Sequence, residues 1–287
     1  MAVCRALLVI VILVILGGTM GCATSLVYDR ADRLANRWLG GYVALDASQR
    51  ATLDAGLEAL HEWHRREQLP AYAGWLRGAA ARLADDQPLS EQEVRELGTA
   101  LGALWRELAS EALPLLLEIG VGLDDAQVAG LLEALREKQR IELEAANRRA
   151  AAWHQQRRVR STERFMRRLA GPLTQEQRAA TAAWAATLEP THQVQHDNRL
   201  GWINELEYAL ARRADPDTLR VSAERLFVAP DSRWSPEVEA LVERNSARTT
   251  AHFVALLNGL DDRQRARAIT RLERLAAEFE SLSRAAG

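Results

Sequence analysis

Two histidine pairs carry the spacing that metal chemistry needs. His61 and His64 stand three residues apart with Glu58 and Glu67 nearby, and His192 and His196 stand four apart with Asp197 following. On a helix either spacing sets two imidazoles on one face, as a zinc site requires, but neither pair has an evident third ligand. Surface or capping histidines are the favoured reading, and no metal site is expected. The acidic doublets Asp85-Asp86, Asp124-Asp125 and Asp261-Asp262 suggest calcium or an acid pair. Each precedes an expected helix, where carboxylates meet unpaired N–H groups and the positive end of the dipole, so capping accounts for them. No G-x-S-x-G, H-E-x-x-H, glycine-rich phosphate loop or dinucleotide fingerprint occurs. No catalytic residue is assigned, and the chain is not expected to be an enzyme.

Charge is the most suggestive feature. Between residues 148 and 168 stand eight arginines, Arg148, Arg149, Arg157, Arg158, Arg160, Arg164, Arg167 and Arg168, against the single acid Glu163. Trp153, His154, Phe165 and Met166 are interleaved with them. Guanidinium pairing plus apolar contact suits acidic unfolded clients, lipopolysaccharide phosphates or anionic lipid. The arginines together with Trp153 and Phe165 therefore form a candidate binding surface. The competing reading pairs them with an acid-rich helix such as Glu91 to Glu118, and the formal net charge of -2 favours such matching.

Cys22 is the other reactive group. The only two cysteines are Cys4 and Cys22, so the region after residue 22 has no disulfide and no thiol ligand. Arg5 is followed by the apolar run Ala6 to Leu16, then by Gly17, Gly18, Thr19, Met20, Gly21 and Cys22. A short basic end, an apolar segment and small residues before a cleavage point make a signal peptide. With Gly21 directly before Cys22 the segment resembles a lipoprotein signal, in which a diacylglyceryl thioether forms on the cysteine. Residues 1–21 are then the signal and 22–26 a lipidated tether, with covalent lipid the only cofactor. Thr19 stands where such signals usually carry leucine. An uncleaved anchor stays open as the rival, because no charge occurs from Ala6 through Tyr28 and about 20 residues cross a bilayer. Ala23, rather than aspartate, follows the cysteine, which by the same resemblance implies the outer membrane, facing the periplasm. That compartment disfavours nucleic acid as a partner.

The remaining residues must position these groups, and they do so with helices. Hydrophobic residues make up 48% of the 287 and aromatics only 6%, with alanine, leucine, arginine and glutamate dominant. The expectation is an all-α, elongated multi-helix bundle of about nine to ten helices. Helices are expected over Tyr28 to Tyr42, Ala47 to Leu69, Pro70 to Ala84, and Glu91 to Glu111 with a bent continuation past Pro114 to Ile119. A further one spans Asp125 to Leu169, and Gly171 and Pro172 end it. Unbroken, that helix would run about 68 Å, but its apolar stripe thins toward Trp153, and a break there stays open as the alternative. Then follow Gln175 to Leu188, Thr191 to Arg213, Pro216 to Val228, Pro236 to Leu257 and Asp262 to Ser283. Two parts are drawn, 27–171 and 172–287.

Five stretches share leucine, a small polar residue, two variable positions and Gln or Glu: Leu45 to Gln49, Leu89 to Glu93, Leu123 to Gln127, Leu173 to Gln177 and Leu260 to Gln264. Each reads as a capping box with a leading leucine at the staple position. The pattern resembles the LTxxQ motif of the Spy and CpxP group, small periplasmic helical proteins tied to envelope stress, of which Spy is an ATP-independent chaperone. Only the Leu173 copy keeps both Thr and Gln.

A closer resemblance runs along most of the chain. Tyr28, Leu34 to Tyr42, the LDASQR stretch from Leu45, Trp63-His64-Arg65 and Leu69 to Tyr72 are similar to the opening of an uncharacterised family of proteobacterial lipoproteins. Leu173 to Arg178, Trp184, Glu189-Pro190, Asn198-Arg199, Trp202 and Leu260 to Arg265 resemble its later part. That resemblance implies export and a helical fold and assigns no activity. The expected function is non-enzymatic binding of envelope proteins or unfolded clients, with a structural spacer or assembly subunit as the alternative.

Overall fold

The computed structural model describes residues 40–284. Cys22, the expected signal peptide 1–21, the tether 22–26 and nearly all of the expected Tyr28 to Tyr42 helix lie outside the described residues. Of the described residues 85% are helical, and the fold they form is all-α. The helices are α1 Ala47–Trp63, α2 Leu69–Ala84, α3 Glu91–Gly122, α4 Asp125–Asn147, α5 Ala151–Leu169, α6 Gln175–Thr187, α7 His192–Ala211, α8 Pro216–Ala223, α9 Pro236–Asn258 and α10 Asp262–Arg284. Single π-helical turns, His64–Gln68 and Glu224–Val228, follow α1 and α8. The first leads straight into α2, so Pro70 does not break the chain there. Pro114 is likewise carried inside α3.

The expected Asp125 to Leu169 helix is in fact two. Asn147 ends α4, Arg148 and Arg149 lie between the helices, and Ala150 opens α5 with extended backbone. The physical cause is the thin apolar stripe, since Ala146 and Ala150 bury too little surface to hold a helix to a core.

The residues divide into two compact units built from interleaved stretches, so neither coincides with 27–171 or 172–287. The first unit comprises the stretch up to Arg66, Trp105–Ala146 and Thr191–Trp234. Its core gathers Val43, Leu45, Leu53 and Leu123, with Leu57, Leu115, Ile119, Val128 and Leu131 packed against them. A β-carbon at Gly56 would overlap the Leu115 side chain, so α1 and α3 approach closely at that glycine. The second unit comprises Glu67–Leu104, Asn147–Pro190 and the stretch from Ser235 onward. There α2 packs along α10. Leu76, Ala80 and Leu83 of α2 and Leu272, Ala276 and Phe279 of α10 are buried, the Tyr72 and Phe279 rings lie 6.3 Å apart, and Arg77 holds Glu280 through two bonds of 2.9 and 2.8 Å.

All five capping boxes form, closed by Gln49, Glu93, Gln127, Gln177 and Gln264. Four of them do more than cap. In the first unit the Gln49 amide donates to the Gly122 carbonyl at 2.6 Å and to Gln127 Oε1 at 2.9 Å, while Gln127 donates to the Ala44 carbonyl at 2.7 Å. The second unit repeats the arrangement. Gln177 donates to the Gly259 carbonyl and Gln264 to the Pro172 carbonyl, each at 2.9 Å. Each amide thus bonds the carbonyl two residues ahead of the facing helix cap, and the leading leucines Leu45, Leu123, Leu173 and Leu260 are buried beside it. The motif staples two helix starts together in each unit. At the fifth copy Glu93 faces Arg82 instead, which explains a carboxylate where the other four need an amide that both donates and accepts.

Candidate functional site

The arginine-rich stretch falls entirely within the second unit. Helix α5 ends where Ala170 N–H and Gly171 N–H both donate to the Met166 carbonyl, at 2.7 and 3.0 Å, with Gly171 at φ +103°. Arg167 and Arg168 occupy the last turn, where cations suit the negative end of the helix dipole.

The helical period sorts the side chains. At about 100° per residue, Arg157, Arg160, Arg164, Arg167, Arg168 and Trp153 fall within an arc of roughly 100°. Those five arginines are exposed. On the opposite side Thr162 and Met166 are buried, with Gln155, Val159 and Leu169 partly so. Gln155 donates to the Ala182 carbonyl of α6. The lone acid, Glu163, falls outside the basic arc. Among the described residues none of the eight arginines forms an ion pair. Pairing with the acids of Glu91 to Glu118 is therefore not seen among the described residues, and of those acids Glu91 holds Arg95 and Glu93 holds Arg82.

Arg158 does not join this face. It turns inward and donates to the carbonyls of Leu188 and Glu189, both at 3.4 Å, and its burial lowers the guanidinium pKa. Glu189 itself is held by Arg244 at 2.8 Å and Arg248 at 2.9 Å, which draw its carboxyl down to about 2. Arg158 thus belongs to the corner that fastens α5, α6 and α9. Of the remaining candidates, Arg148 and Arg149 are exposed in the break before α5. The Arg149 guanidinium lies 4.0 Å and that of Arg157 5.4 Å from the Trp153 ring centre. Phe165, at 38% exposure, meets Phe253 edge to face at 6.2 Å.

Tertiary structure adds residues that the sequence does not place here. Arg267 of α10 lies against Gly171, its Nη1 2.7 Å from where a β-carbon would stand. A second helix therefore brings a guanidinium to the end of α5, beside the turn carrying Arg167 and Arg168. Arg263 sits one turn earlier on α10, exposed like Arg267 and likewise without an ion pair among the described residues. No local signal marks them, since they stand about 100 residues from α5 in a helix whose charges look ordinary.

The other candidates stay structural. Asp124 and Asp261 cap α4 and α10, whereas Asp85 closes the C-terminal end of α2. His64 is held down to about 4 by burial and then by His61. His196 Nδ1 lies 3.2 Å from Asp197. Among the described residues no group of histidines, cysteines and carboxylates is arranged to hold a metal ion.

Neither the curated proteins nor the solved structures include a match to the chain. One family model does match, over residues 41–239 of the 287. The match spans both units and contains the whole of α5, and on its extent the chain belongs to the family described as a family of unknown function (DUF6279).

Proposed function

We propose that this protein is an envelope lipoprotein, tethered by lipid on Cys22 at the outer membrane and facing the periplasm, that works by binding rather than by catalysis. The observation that carries the reading is the exposed face of α5, where Arg157, Arg160, Arg164, Arg167 and Arg168 stand together without an ion pair among the described residues. Clustered like charges repel one another, and a fold that leaves them unmatched has a surface that an anionic partner stabilises. The partners this calls for are anionic components of the envelope, with acidic stretches of its proteins and of unfolded clients among those expected. The tether is supported by the order of residues Arg5 to Cys22. No described helix is long and apolar enough to cross a membrane. A structural spacer or assembly subunit, the alternative, would have the two shorter helices α4 and α5 rather than one long helix to use.

Two measurements test the reading. Cells expressing Cys22→Ser should lose lipid labelling and signal processing, whereas an uncleaved anchor would keep its mass and its membrane association. Purified protein should bind poly-glutamate or inorganic polyphosphate with strong salt dependence, and Arg160→Glu/Arg164→Glu/Arg168→Glu should abolish that binding. A wild-type protein that binds neither polymer removes the basis for the proposal.

A further inference from the structure

The basic surface has an extent and a chemistry that narrow its partner. From Arg157 to Arg168 the arginines run about 17 Å along the flank of α5. Arg267 carries the charge across to α10 at Gly171, and Arg263 continues it one turn along. An exposed array of guanidinium groups drawn from two helices matches a plane of repeated anions better than it matches one small ligand. Each guanidinium offers a planar fork of donors, the geometry that takes two oxygens of a phosphate. Aromatic side chains sit with the cations. Trp153 lies between Arg149 and Arg157, and Phe165 is partly exposed on the following turns. Indole and phenyl rings beside arginines are the pairing that settles at the level of lipid headgroups. The apolar side of α5 is already buried in the second unit through Thr162 and Met166, so the helix has no apolar face left to insert. It can only lie on a charged surface.

We infer that this face, Arg157, Arg160, Arg164, Arg167 and Arg168 of α5 with Arg263 and Arg267 of α10, docks on the phosphates of an anionic lipid bilayer, with Trp153 and Phe165 at headgroup depth. The inference rests on the proposed envelope location and names the anionic partner of the same surface. A tether and a polybasic surface together give two attachments where one would leave the folded part free to tumble, so docking sets which side of the second unit faces away from the membrane. Asp261 and Asp262 directly precede Arg263 in sequence. Asp261 is engaged in capping α10 through Gln264, so its carboxylate is turned to the backbone.

The test is arginine footprinting with phenylglyoxal, read by mass spectrometry, on the full-length chain reconstituted in vesicles. One set is phosphatidylcholine alone, and the other includes phosphatidylglycerol. Modification of Arg160, Arg164, Arg168 and Arg267 should slow by about fivefold or more on the anionic vesicles relative to the neutral ones, and high salt should erase the difference. The Arg160→Gln/Arg164→Gln variant should lose protection at Arg168 and Arg267 as well. Equal rates on the two lipid compositions overturn the inference. Protection by soluble poly-glutamate but not by anionic vesicles overturns lipid docking and leaves the binding surface standing for a protein partner. Equal protection by dissolved inorganic phosphate over neutral vesicles assigns the site to free phosphate and likewise overturns docking. Protection by none of these removes both the docking and the binding reading.

Discussion

Gln177 and Gln264 bond each other in both directions through their side-chain amides, at 2.9 Å one way and 3.0 Å the other. Both side chains are buried, and every remaining donor and acceptor is engaged: each Oε1 takes its own cap N–H, and each Nε2 reaches the facing chain at Gly259 or Pro172. Removing one amide strands its partner away from water. Gln264→Leu should therefore cost about 2–4 kcal/mol, more than a cap alone, because buried polar groups lose their bonds on both helices. In a double-mutant cycle with Gln177→Leu the two losses should fall short of additive by about 1 kcal/mol or more. Urea denaturation of the four proteins measures this, and strict additivity would show that the amides act as separate caps.

Gly171 tests the corner between α5 and α10. Its φ of +103° disfavours any side chain, and Arg267 occupies the space where a β-carbon would go. Gly171→Ala should destabilise by about 1–3 kcal/mol. Adding Arg267→Ala should return part of that loss by clearing the clash and leave the part due to backbone strain. Thermal midpoints of the single and double variants separate the two contributions.

Arg158 and Arg164 are both arginines of α5, six residues apart, yet they should behave oppositely. Arg158 is half-buried and tied to two carbonyls, so Arg158→Ala should lower stability by about 1–2 kcal/mol and leave polyanion binding near its original level. Arg164 is exposed and donates to the Ser161 hydroxyl at 3.2 Å. Arg164→Ala should change stability by no more than about 0.5 kcal/mol and weaken binding. The pair is compared by calorimetry and by titration with poly-glutamate.

Acid should destabilise the fold in two windows. His64, held down to about 4, and His252, pushed down by burial while its ring stacks on Trp184 at 4.6 Å, are neutral in the fold. Once unfolded each takes a proton near its ordinary value of about 6.5, so the unfolded state binds more protons below that pH. Their stabilising contribution is fully present above pH 6.5 and declines below it, for His64 as pH falls toward 4. Glu189 and Glu93, each drawn down to about 2 by arginine, contribute above their ordinary 4.5 and lose that contribution as pH falls toward 2. Denaturation midpoints from pH 8 to pH 3 should thus fall in the first window for the wild type, and fall less for His252→Phe, whose ring keeps the stacking without titrating.

Much of the architecture is legible in the sequence. Asp46, Ser90, Asp124, Thr174 and Asp261 announce helix starts because the cap and its Gln or Glu lie three residues apart, and every one of those starts forms. The expected Pro216, Pro236 and Asp262 starts hold, since proline and aspartate suit the first helical turn. The π-turns at His64–Gln68 and Glu224–Val228 carried no such mark, as they depend on how neighbouring helices press on the backbone rather than on one residue's preference. The eight arginines were visible as a candidate surface, but not the inward turn of Arg158.

Local chemistry is what the sequence determines by itself in this protein: helix content from side-chain entropy, helix starts from caps three residues apart, and the helix end at Gly171 from its freedom to take positive φ. Long-range chemistry is what only the tertiary structure decides. The four glutamines become two clasps because helix starts far apart in the chain are packed together, and a capping box reads the same with or without a facing partner. Arg158 becomes part of the framework, and Arg267 part of the basic surface, for the same reason. A guanidinium's role is set by which carbonyls, carboxylates or other cations the fold brings within reach, and those neighbours are absent from its local sequence.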